Sequence, residues 1–389
     1  MAALQLLRGA RSTNWRERLV RPTATKALAL LRCPTAPYSE SLPLAFIRQW
    51  VVDHGWRLKE DQVGNLIVTV PGKSGRKPAL AFLAHLDHPA MTVCQVSGTG
   101  KVAADFFGGH PGDRMLGAPV RLHSPHGEGR PIKAKVIKVG AKDAKTGCLP
   151  LTLEAKRSGV EPGWLGEWDV PYRLSNRLVR NVVCDNLAGA ASILAGLALA
   201  QRQGLERPIQ AWFTRCEENG FVGCLEGLRL GSFSADVPAI VLECSPQLSH
   251  VRPGDGPVMR VGDRVSVFDA GLCSALGDVA TELANRVPGF KWQRKLMDGG
   301  ACEATALCSA GFRSACLAMP LRNYHNVPDD RNLKGPYAEE IDRTDQDAMV
   351  LWLATLCLNP KAVSAVGDPG LAAKLEKMRK NRRGPLARD

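Results

Sequence analysis

The stretch Thr214-Arg215-Cys216-Glu217-Glu218-Asn219-Gly220 decides how the rest of the chain is interpreted. It follows an apolar run at 209–213 that predicts a buried strand. Neighbouring side chains at the end of a strand point in different directions, so two adjacent carboxylates can take two roles there. One can bind a metal ion while the other moves a proton. Because a Glu-Glu pair alone is usually a solvated surface pair, the interpretation depends on residues elsewhere.

Residues of the metal-binding type occur at further positions, each just after an apolar run typical of a strand. They are His85, Asp87, Asp185, Glu243 and His325. Histidine and carboxylate ligands without thiolates are typical of catalytic zinc, cobalt or manganese sites rather than structural zinc sites. Each position alone has an ordinary explanation, such as a helix N-cap at Asp185 or a buried ion pair at Glu243. Their joint occurrence favours a metal centre.

The residue types suit two divalent ions. His85 and His325 would supply imidazoles, and Asp185 could bridge the two ions through its two oxygens. Glu218 and Glu243 could each complete one coordination shell. Paired ions about 3.5–4 Å apart lower the pKa of a shared water molecule and polarise a carbonyl oxygen.

Two acidic residues are then left without a metal ion. Glu217 is placed to take a proton from the water and pass it to a leaving amine. Asp87 fits an outer partner that holds the imidazole of His85 in one tautomer. His88 could add a ligand or a substrate contact, although a surface or packing role is the simpler explanation.

Two kinds of pattern divide the chain. From Asp185 onward, strands alternate with helices, and polar groups follow the strands, which predicts an α/β fold with an open sheet and a ligand crevice at one edge. Between 94 and 177, short β-like runs alternate with loops rich in Gly and Pro, which predicts a small inserted β-domain. We also predict helix over most of 22–58 and a last helix over 337–358.

These patterns predict four segments. They are a basic N-terminal extension at 1–21, a catalytic α/β domain at 22–93 and 178–360, an inserted β-domain at 94–177, and a basic C-terminal tail at 361–389.

The composition excludes several classes of protein. The chain has 389 residues, 45% hydrophobic and 23% charged, which is typical of a globular protein with a large core. Part of the formal net charge of +13 lies in the two ends, where flexible solubilising segments are a simpler explanation than nucleic-acid binding. No apolar run reaches the ~18 residues of a membrane span. Twelve cysteines without a C-x-x-C pair indicate reduced thiols and a cytoplasmic location.

The order H-x-D, D-N, E-E, E, H resembles that of the co-catalytic metallopeptidases of the M20/M28/M42 clan, over about 33–358. The segment Asp61-Gln62-Val63-Gly64-Asn65-Leu66 is similar to the D-x-x-G-N-L segment of that clan. The resemblance implies a zinc-peptidase-like sheet and an assignment of roles: His85 and Glu243 bind one ion, Glu218 and His325 bind the other, Asp185 bridges, Glu217 is the general base and Asp87 orients His85.

The position of the insertion separates the families of the clan. M42 aminopeptidases carry an insert between the H-x-D motif and the bridging Asp, where this chain has its β-domain, whereas M20 enzymes place a lid between the fourth and fifth ligands. The segments Arg322-Asn323-Tyr324-His325 and Gly299-Gly300-Ala301-Cys302-Glu303-Ala304 also resemble M42 segments. The chain departs from the usual M42 motif H-M-D-E-I-G, having His85-Leu86-Asp87-His88-Pro89-Ala90. Substrate preference and assembly depend on such loops.

The resemblance therefore implies an M42-type aminopeptidase that acts on short peptides with two ions of zinc, cobalt or manganese. The free amino group of the substrate must be held by a metal ion or by a nearby carboxylate, for which Glu243 and Glu303 are candidates. An M20-like N-acyl amino-acid or peptide deacylase or carboxypeptidase on the same metals is one alternative, and an inactive metal-binding scaffold is another. The family resemblance also implies a homo-oligomer, from a dimer up to a dodecamer, with the inserted domain at interfaces or at the substrate entrance.

Overall fold

The computed structural model describes residues 2–75, 77–97, 100–156, 159–364 and 369–382. The described part of the chain contains a large mixed sheet flanked by helices and a closed barrel. In the sequence, the barrel strands follow the third strand of the sheet and precede its later strands. The predicted fold class, an α/β protein with a mixed open sheet and an inserted barrel-like domain, is confirmed.

The strands of the two units follow one another in the chain. The three strands before the barrel are β1 (Arg57–Glu60), β2 (Leu66–Val70) and β3 (Ala81–His85). The barrel strands are β4 (Ala90–Val96), β5 (Lys101–Phe107), β6 (Pro119–His123), β7 (Ile132–Val139), β8 (Leu149–Ala155) and β9 (Leu165–Trp168). The later strands of the sheet are β10 (Arg173–Leu174), β11 (Leu178–Asn181), β12 (Ile209–Thr214), β13 (Ala239–Pro246), β14 (Val258–Asp263), β15 (Gln293–Met297), β16 (Ser314–Arg322) and β17 (Glu339–Asp342).

The order of the sheet brings four parallel strands to its centre. The path is β1-β2-β12-β3-β13-β16-β17-β11-β10, with β14 pairing to β15 and β16. Strands β12, β3, β13 and β16 are parallel neighbours, and Thr214 at the end of β12 lies opposite His85 at the end of β3. Because the carboxyl ends of parallel strands meet at one edge, the loops that follow these strands converge there.

Helices pack against the sheet. The α-helices are α1 (Ala2–Ala10), α2 (Arg21–Ala27), α3 (Ser41–Asp53), α4 (Cys184–Gln203), α5 (Val222–Arg229), α6 (Ala270–Arg286), α7 (Glu303–Ser309), α8 (Arg343–Leu358), α9 (Lys361–Ser364) and α10 (Pro369–Arg382). Helix α4 packs against β3, β13 and α8, and its residues are buried as far as Ala200. A Cβ on Gly196 would lie 2.9 Å from Cβ of Leu353, so this glycine lets α4 and α8 approach closely.

The first residues of the chain pack onto this helical layer. The sequence suggests a basic extension over 1–21, but Leu6, Trp15 and Val20 are buried among the helices. The indole N–H of Trp15 donates to the carbonyl of Pro288 at 3.0 Å, and Arg21 forms an ion pair with Asp347 at 2.8 Å. Of the predicted C-terminal tail, 365–368 and 383–389 lie outside the described residues.

Three predicted boundaries differ from the structure. Helix is predicted over 22–58, but Arg57–Glu60 form the edge strand β1. The last helix begins at Arg343 rather than 337, because Asp342 caps it by accepting the N–H of Thr344 at 2.7 Å. The barrel begins at Ala90 rather than 94. The helices of the described residues include none long and apolar enough to cross a membrane, and all twelve cysteines are free thiols.

Candidate metal centre

The end of β3 supplies the first two site residues. His85 is the last residue of the strand and is almost fully buried, and Asp87 follows it with no exposed surface. The Nδ1 atom of His85 lies 3.2 Å from the carbonyl oxygen of Asp87 and 3.5 Å from its carboxylate. Because Nδ1 faces acceptors only, it carries the proton, and the lone pair of Nε2 points into the site.

The loop after β12 brings Glu217 and Glu218 beside His85. The loop turns at Cys216, which has φ +53°, and ends at Gly220, which has φ +96°. The main-chain N–H groups of Glu217 and Glu218 donate to the two carboxylate oxygens of Asp87, at 2.9 and 3.0 Å. Asp87 therefore holds the turn as well as the imidazole.

Asp185 and His325 are held in place by a residue that the sequence analysis missed. The buried carboxylate of Glu339 accepts the main-chain N–H of Asp185 at 2.9 Å and that of His325 at 2.8 Å. The sequence contains no clear signal for this role, because Glu339 lies inside the segment predicted as helix. Its actual place at the start of β17 depends on pairing with β11.

The predicted ligand residues converge on one buried cluster. Asp185 lies between the two histidines, with Oδ1 3.5 Å from Nε2 of His85 and Oδ2 3.6 Å from Nε2 of His325. Nε2 of His85 is also 3.6 Å from Glu243 and 4.0 Å from Glu217. Nε2 of His325 is 3.2 Å from Oε1 of Glu218.

The distances between these atoms fit bound metal ions. Two ligand atoms at the usual 2.0–2.1 Å from a tetrahedral zinc ion lie roughly 3.3 Å apart. Two overlapping groups of ligand atoms lie within 4.8 Å of one another: His85, Asp185 and Glu218, and His85, Glu217 and Glu243. Several of these atoms are buried and make no hydrogen bond of normal geometry within the described residues: Asp185 Oδ1, Glu218 Oε1, Glu243 Oε1 and His325 Nε2. Such atoms need a cation or a proton.

The pKa shifts in the cluster also indicate a site for bound cations. Burial alone would lower the pKa of both histidines, but carboxylates raise the pKa of His85 and of His325 well above the usual value. Burial raises the pKa of Glu217 well above the usual value and also raises the pKa of Glu218 and Glu243. The cluster is thus short of positive charge, which divalent cations supply.

Both ring nitrogens of His88 contact groups inside the protein. This histidine is fully buried, and its ring contacts the carbonyl of Asp185 through Nδ1 and Oδ1 of Asn326 through Nε2, at 2.9 Å. Burial lowers the pKa of His88 to about 4. The suggested ligand or substrate contact is therefore replaced by a packing role behind Asp185.

A cavity opens beside the cluster. It is lined by His85, Asp185, Glu217, Glu243 and Tyr324, together with Arg260, Met297 and residues 299–301. Glu303, a predicted amine-binding residue, is fully buried at the start of α7, just behind 299–301, and does not line the cavity. Burial raises the pKa of Glu303 to about 8.

Arg260 is a second residue that the sequence analysis missed. It lies on β14, a short strand that was not predicted, and only 4% of it is exposed. One guanidinium nitrogen donates to Oγ of Ser245 at 3.1 Å, and another lies 3.9 Å from Asp263, while Nε makes no hydrogen bond within the described residues. A buried guanidinium on a cavity wall can pair with an anionic group.

Comparison with known proteins agrees with this fold. A family model described as M42 glutamyl aminopeptidase matches residues 149–332. An aminopeptidase from the archaeon Desulfurococcus kamchatkensis has 16% identity and a TM-score of 0.71, covering 90% of this chain and 98% of that one. The Pyrococcus horikoshii TET1 peptidase, which can assemble into a tetrahedron or an octahedral shell, has 18% identity and a TM-score of 0.68, covering 86% and 99%. A Thermotoga maritima protein described as an endoglucanase has 18% identity and a TM-score of 0.64, covering 88% and 99%.

A search of curated protein sequences found no significant match. The family match and the similar structures support a metal-dependent peptide hydrolase, and the buried cluster of histidines and carboxylates is a possible metal site. The match of this family model over 149–332 agrees with the resemblance of the sequence motifs to M42 aminopeptidases.

Proposed function

We propose that this protein is a metal-dependent aminopeptidase that removes N-terminal residues from short peptides. The position of Asp185 carries the proposal, because its two carboxylate oxygens each face the Nε2 atom of a different histidine, at 3.5 and 3.6 Å. A carboxylate shared between two ring nitrogens is the arrangement expected of a ligand that bridges two ions.

The proposed site holds two divalent ions of zinc, cobalt or manganese. His85 and Glu243 would hold one ion, Glu218 and His325 would hold the other, and Asp185 would be shared between them. When bound, such ions lower the pKa of a water molecule and polarise the scissile carbonyl.

The remaining chemistry belongs to side chains of the protein. Glu217 lines the cavity, and its Oε2 is 4.0 Å from Nε2 of His85. We assign to it the removal of the proton from the attacking water and the delivery of that proton to the leaving amine. Asp87 keeps Glu217 in place through the main-chain hydrogen bond at 2.9 Å.

The cavity favours a peptide with an acidic first residue. Arg260 is a buried cation on its wall, and a carboxylate side chain of a substrate would pair with this charge. The free amino group of the substrate needs an acceptor in the same cavity. Of the two predicted candidates, Glu243 lines the cavity and Glu303 does not, which favours Glu243.

Mass-spectrometric detection of the cleavage of matched peptides tests the proposal. Short peptides that differ only in their first residue are incubated free and N-acetylated, with Co²⁺, Zn²⁺ or Mn²⁺. We expect stepwise loss of single residues from the free peptides only, fastest for Glu and Asp. Cleavage of the acetylated set would instead favour the deacylase alternative, and no cleavage with any metal would favour the inactive scaffold.

We further propose that the protein is a cytoplasmic homo-oligomer whose inserted domain, 94–177 with β4 added, lies at interfaces or at the substrate entrance. The twelve free cysteines support a reducing compartment. The assembly of the Pyrococcus horikoshii peptidase into closed shells supports an oligomer by analogy. The proposed catalytic domain comprises 22–93, apart from the residues of β4, and 178–360. Sedimentation that shows only a monomer would contradict the oligomer.

A further inference from the structure

The inserted barrel contacts the metal cluster at two places. In the connection between β5 and β6, the carbonyl oxygen of Gly109 accepts the Nδ1–H of His325 at 2.8 Å. In the connection between β7 and β8, the carbonyl oxygen of Thr146 accepts a hydrogen bond from the side chain of Asn219 at 3.1 Å. Asn219 directly follows Glu218. The first contact is made to the proposed ligand His325 itself, and the second is made to the residue that follows the proposed ligand Glu218.

Glycines make both contacts possible. A Cβ on Gly109 would lie 2.8 Å from Nδ1 of His325, and a Cβ on Gly147 would lie 2.2 Å from Oδ1 of Asn219. A Cβ on Gly108 would lie 2.7 Å from Cβ of Pro89, where β4 leaves the site. Real Cβ atoms do not approach other atoms so closely, so the barrel lies against the cluster without room for side chains.

The contact with Gly109 decides which nitrogen of His325 faces the cluster. A carbonyl oxygen can only accept, so Nδ1 carries the proton and the lone pair of Nε2 points to Glu218 at 3.2 Å and Asp185 at 3.6 Å. His85 has the corresponding support from Asp87, which lies two residues after the end of the sheet strand β3 and before the barrel begins. One imidazole is therefore oriented by a residue outside the barrel and the other by the barrel.

We infer that the barrel sets the affinity of the ion held by Glu218 and His325, separately from the ion held by His85 and Glu243. Gly109 acts as a positioning residue through His325, and Thr146 acts through Asn219. The inference rests on the proposed function, because it requires a site for two ions. Outer partners of a metal-bound histidine typically change metal affinity by about 10–100-fold when they are altered.

The variant Gly109→Ala tests the first contact in the full-length protein. Gly109 does not have a positive φ, so alanine displaces the imidazole of His325 without straining the backbone at its own position. Gly112→Ala is the matched control, because in the same connection a Cβ there would meet Val139 and Leu149 at the ordinary distances of 3.4 and 3.7 Å. Equilibrium dialysis against graded Zn²⁺, with metal analysis, gives the number and affinity of the ions.

We expect the original protein and Gly112→Ala to bind two ions per chain. Gly109→Ala should retain one ion with unchanged affinity and bind the second about 10–100-fold more weakly. If Gly109→Ala weakens the binding of both ions equally, or of neither, the inference is overturned while the proposed function stays in place. An original protein that binds no zinc would overturn the proposed function itself, and one that binds a single ion would overturn the inference.

Asn219→Ala provides an independent test that introduces no clash. It removes the hydrogen bond to Thr146 and the one to the Tyr38 hydroxyl at 2.8 Å, and Tyr38→Phe removes only the latter. Co²⁺ is added stepwise and the visible absorption is recorded after each equivalent. In Asn219→Ala, the absorption contributed by the second equivalent should change, and that contributed by the first should not. The spectrum of Tyr38→Phe should match that of the original protein. A change of both equivalents in Asn219→Ala, or the same change in Tyr38→Phe, would contradict the role of the barrel.

Discussion

The side-chain oxygen of Asn65 accepts the main-chain N–H of Arg215 at 3.2 Å, at the start of the loop that carries the two glutamates. The amide nitrogen of Asn65 donates to the carbonyl of Gly223 at 2.8 Å, in the first turn of α5 just beyond the far end of that loop. Asn65 is fully buried, and Asp61 holds it by accepting both its main-chain and its side-chain N–H groups. The D-x-x-G-N-L segment thus fastens both ends of the loop that positions Glu217.

Asn65→Asp should loosen this loop without removing volume. An aspartate keeps the acceptor for Arg215 but has no donor for Gly223, and it places a second carboxylate against Asp61. Leaving a buried carbonyl unsatisfied costs about 1–3 kcal/mol. We expect a fall in kcat and a lower melting temperature. Ser232→Ala is the control, since it removes only a hydrogen bond to Asp61 at 2.9 Å, and it should keep its kcat. An unchanged kcat in Asn65→Asp would contradict the fastening role.

Glu217→Gln should separate proton transfer from metal binding. Glutamine has nearly the same shape as glutamate, but it cannot take a proton from water. General-base catalysis typically contributes about 10²–10⁴-fold, so kcat should fall by that factor while the metal content stays unchanged. Glu206→Gln is a surface control that removes only an exposed ion pair with Lys73 at 3.2 Å. Near-normal turnover in Glu217→Gln would contradict the role of Glu217 as general base. Loss of a metal ion from this variant would show that Glu217 is a metal ligand.

Asp87→Asn should weaken metal binding rather than abolish folding. Asp87 accepts two main-chain N–H groups, from Glu217 and Glu218, with one oxygen each, and asparagine has only one such oxygen. One of the two main-chain N–H groups then faces the side-chain NH₂ group of the asparagine, which is also a donor, so the turn shifts. We expect about 10–100-fold weaker binding of zinc, measured by competition with a chelator. Asp236→Asn, which changes an exposed ion pair with Lys77, should bind zinc normally. Equal affinities in the two variants would exclude the orienting role of Asp87.

Much of the fold and of the cluster could be predicted because the signals are local. The residues proposed as ligands, such as His85 and Glu218, each follow a buried run, and parallel strands bring such positions together. The barrel was predicted from the loss of helical periodicity between 94 and 177. Its first strand was missed from 90 to 93, because His88 and Pro89 separate it from β3 by a short connection without a clear turn signal.

The supporting residues could not be predicted, because their roles arise from contacts between distant segments. Glu339 holds Asp185 from 154 residues away in the chain, and Gly109 holds His325 from 216 residues away. Arg260 reaches the cavity only because β14 pairs with β16 in antiparallel register. No periodicity in the sequence encodes such pairings.

Arg260→Met should change substrate preference. Methionine keeps much of the length of the side chain but removes the charge, so only substrates with an acidic first residue lose an ion pair. Hydrogen bonds to charged groups contribute about 1.5–3 kcal/mol, which corresponds to roughly 10–150-fold in kcat/KM. The measurement is the ratio of kcat/KM for Glu-peptides to that for Leu-peptides. Arg264→Met, at an exposed position, is the control. An equal loss on both peptides would show that Arg260 supports the structure of the cavity without reading the substrate.

The pH dependence of stability should include a contribution from Asp345. This carboxyl group is buried in the first turn of α8, where it accepts the N–H groups of Gly254 and Gly256 at 2.8 and 2.9 Å. Burial raises its pKa from 3.8 to about 7. The folded state therefore holds the proton more tightly than the unfolded state. The stabilisation by this proton is complete below pH 3.8 and is lost as the pH rises towards 7, by at most about 1.4 kcal/mol per pH unit.

Asp345→Asn isolates this contribution, because asparagine does not titrate. The asparagine has only one oxygen to accept the N–H groups of Gly254 and Gly256, so the variant should be less stable at low pH than the original protein. Between pH 4 and pH 7, however, the melting temperature of the variant should fall less steeply than that of the original protein. Asp278→Asn, on the exposed face of α6, should follow the original curve. Parallel curves for Asp345→Asn and the original protein would show that Asp345 ionises at the same pH in the folded and unfolded states.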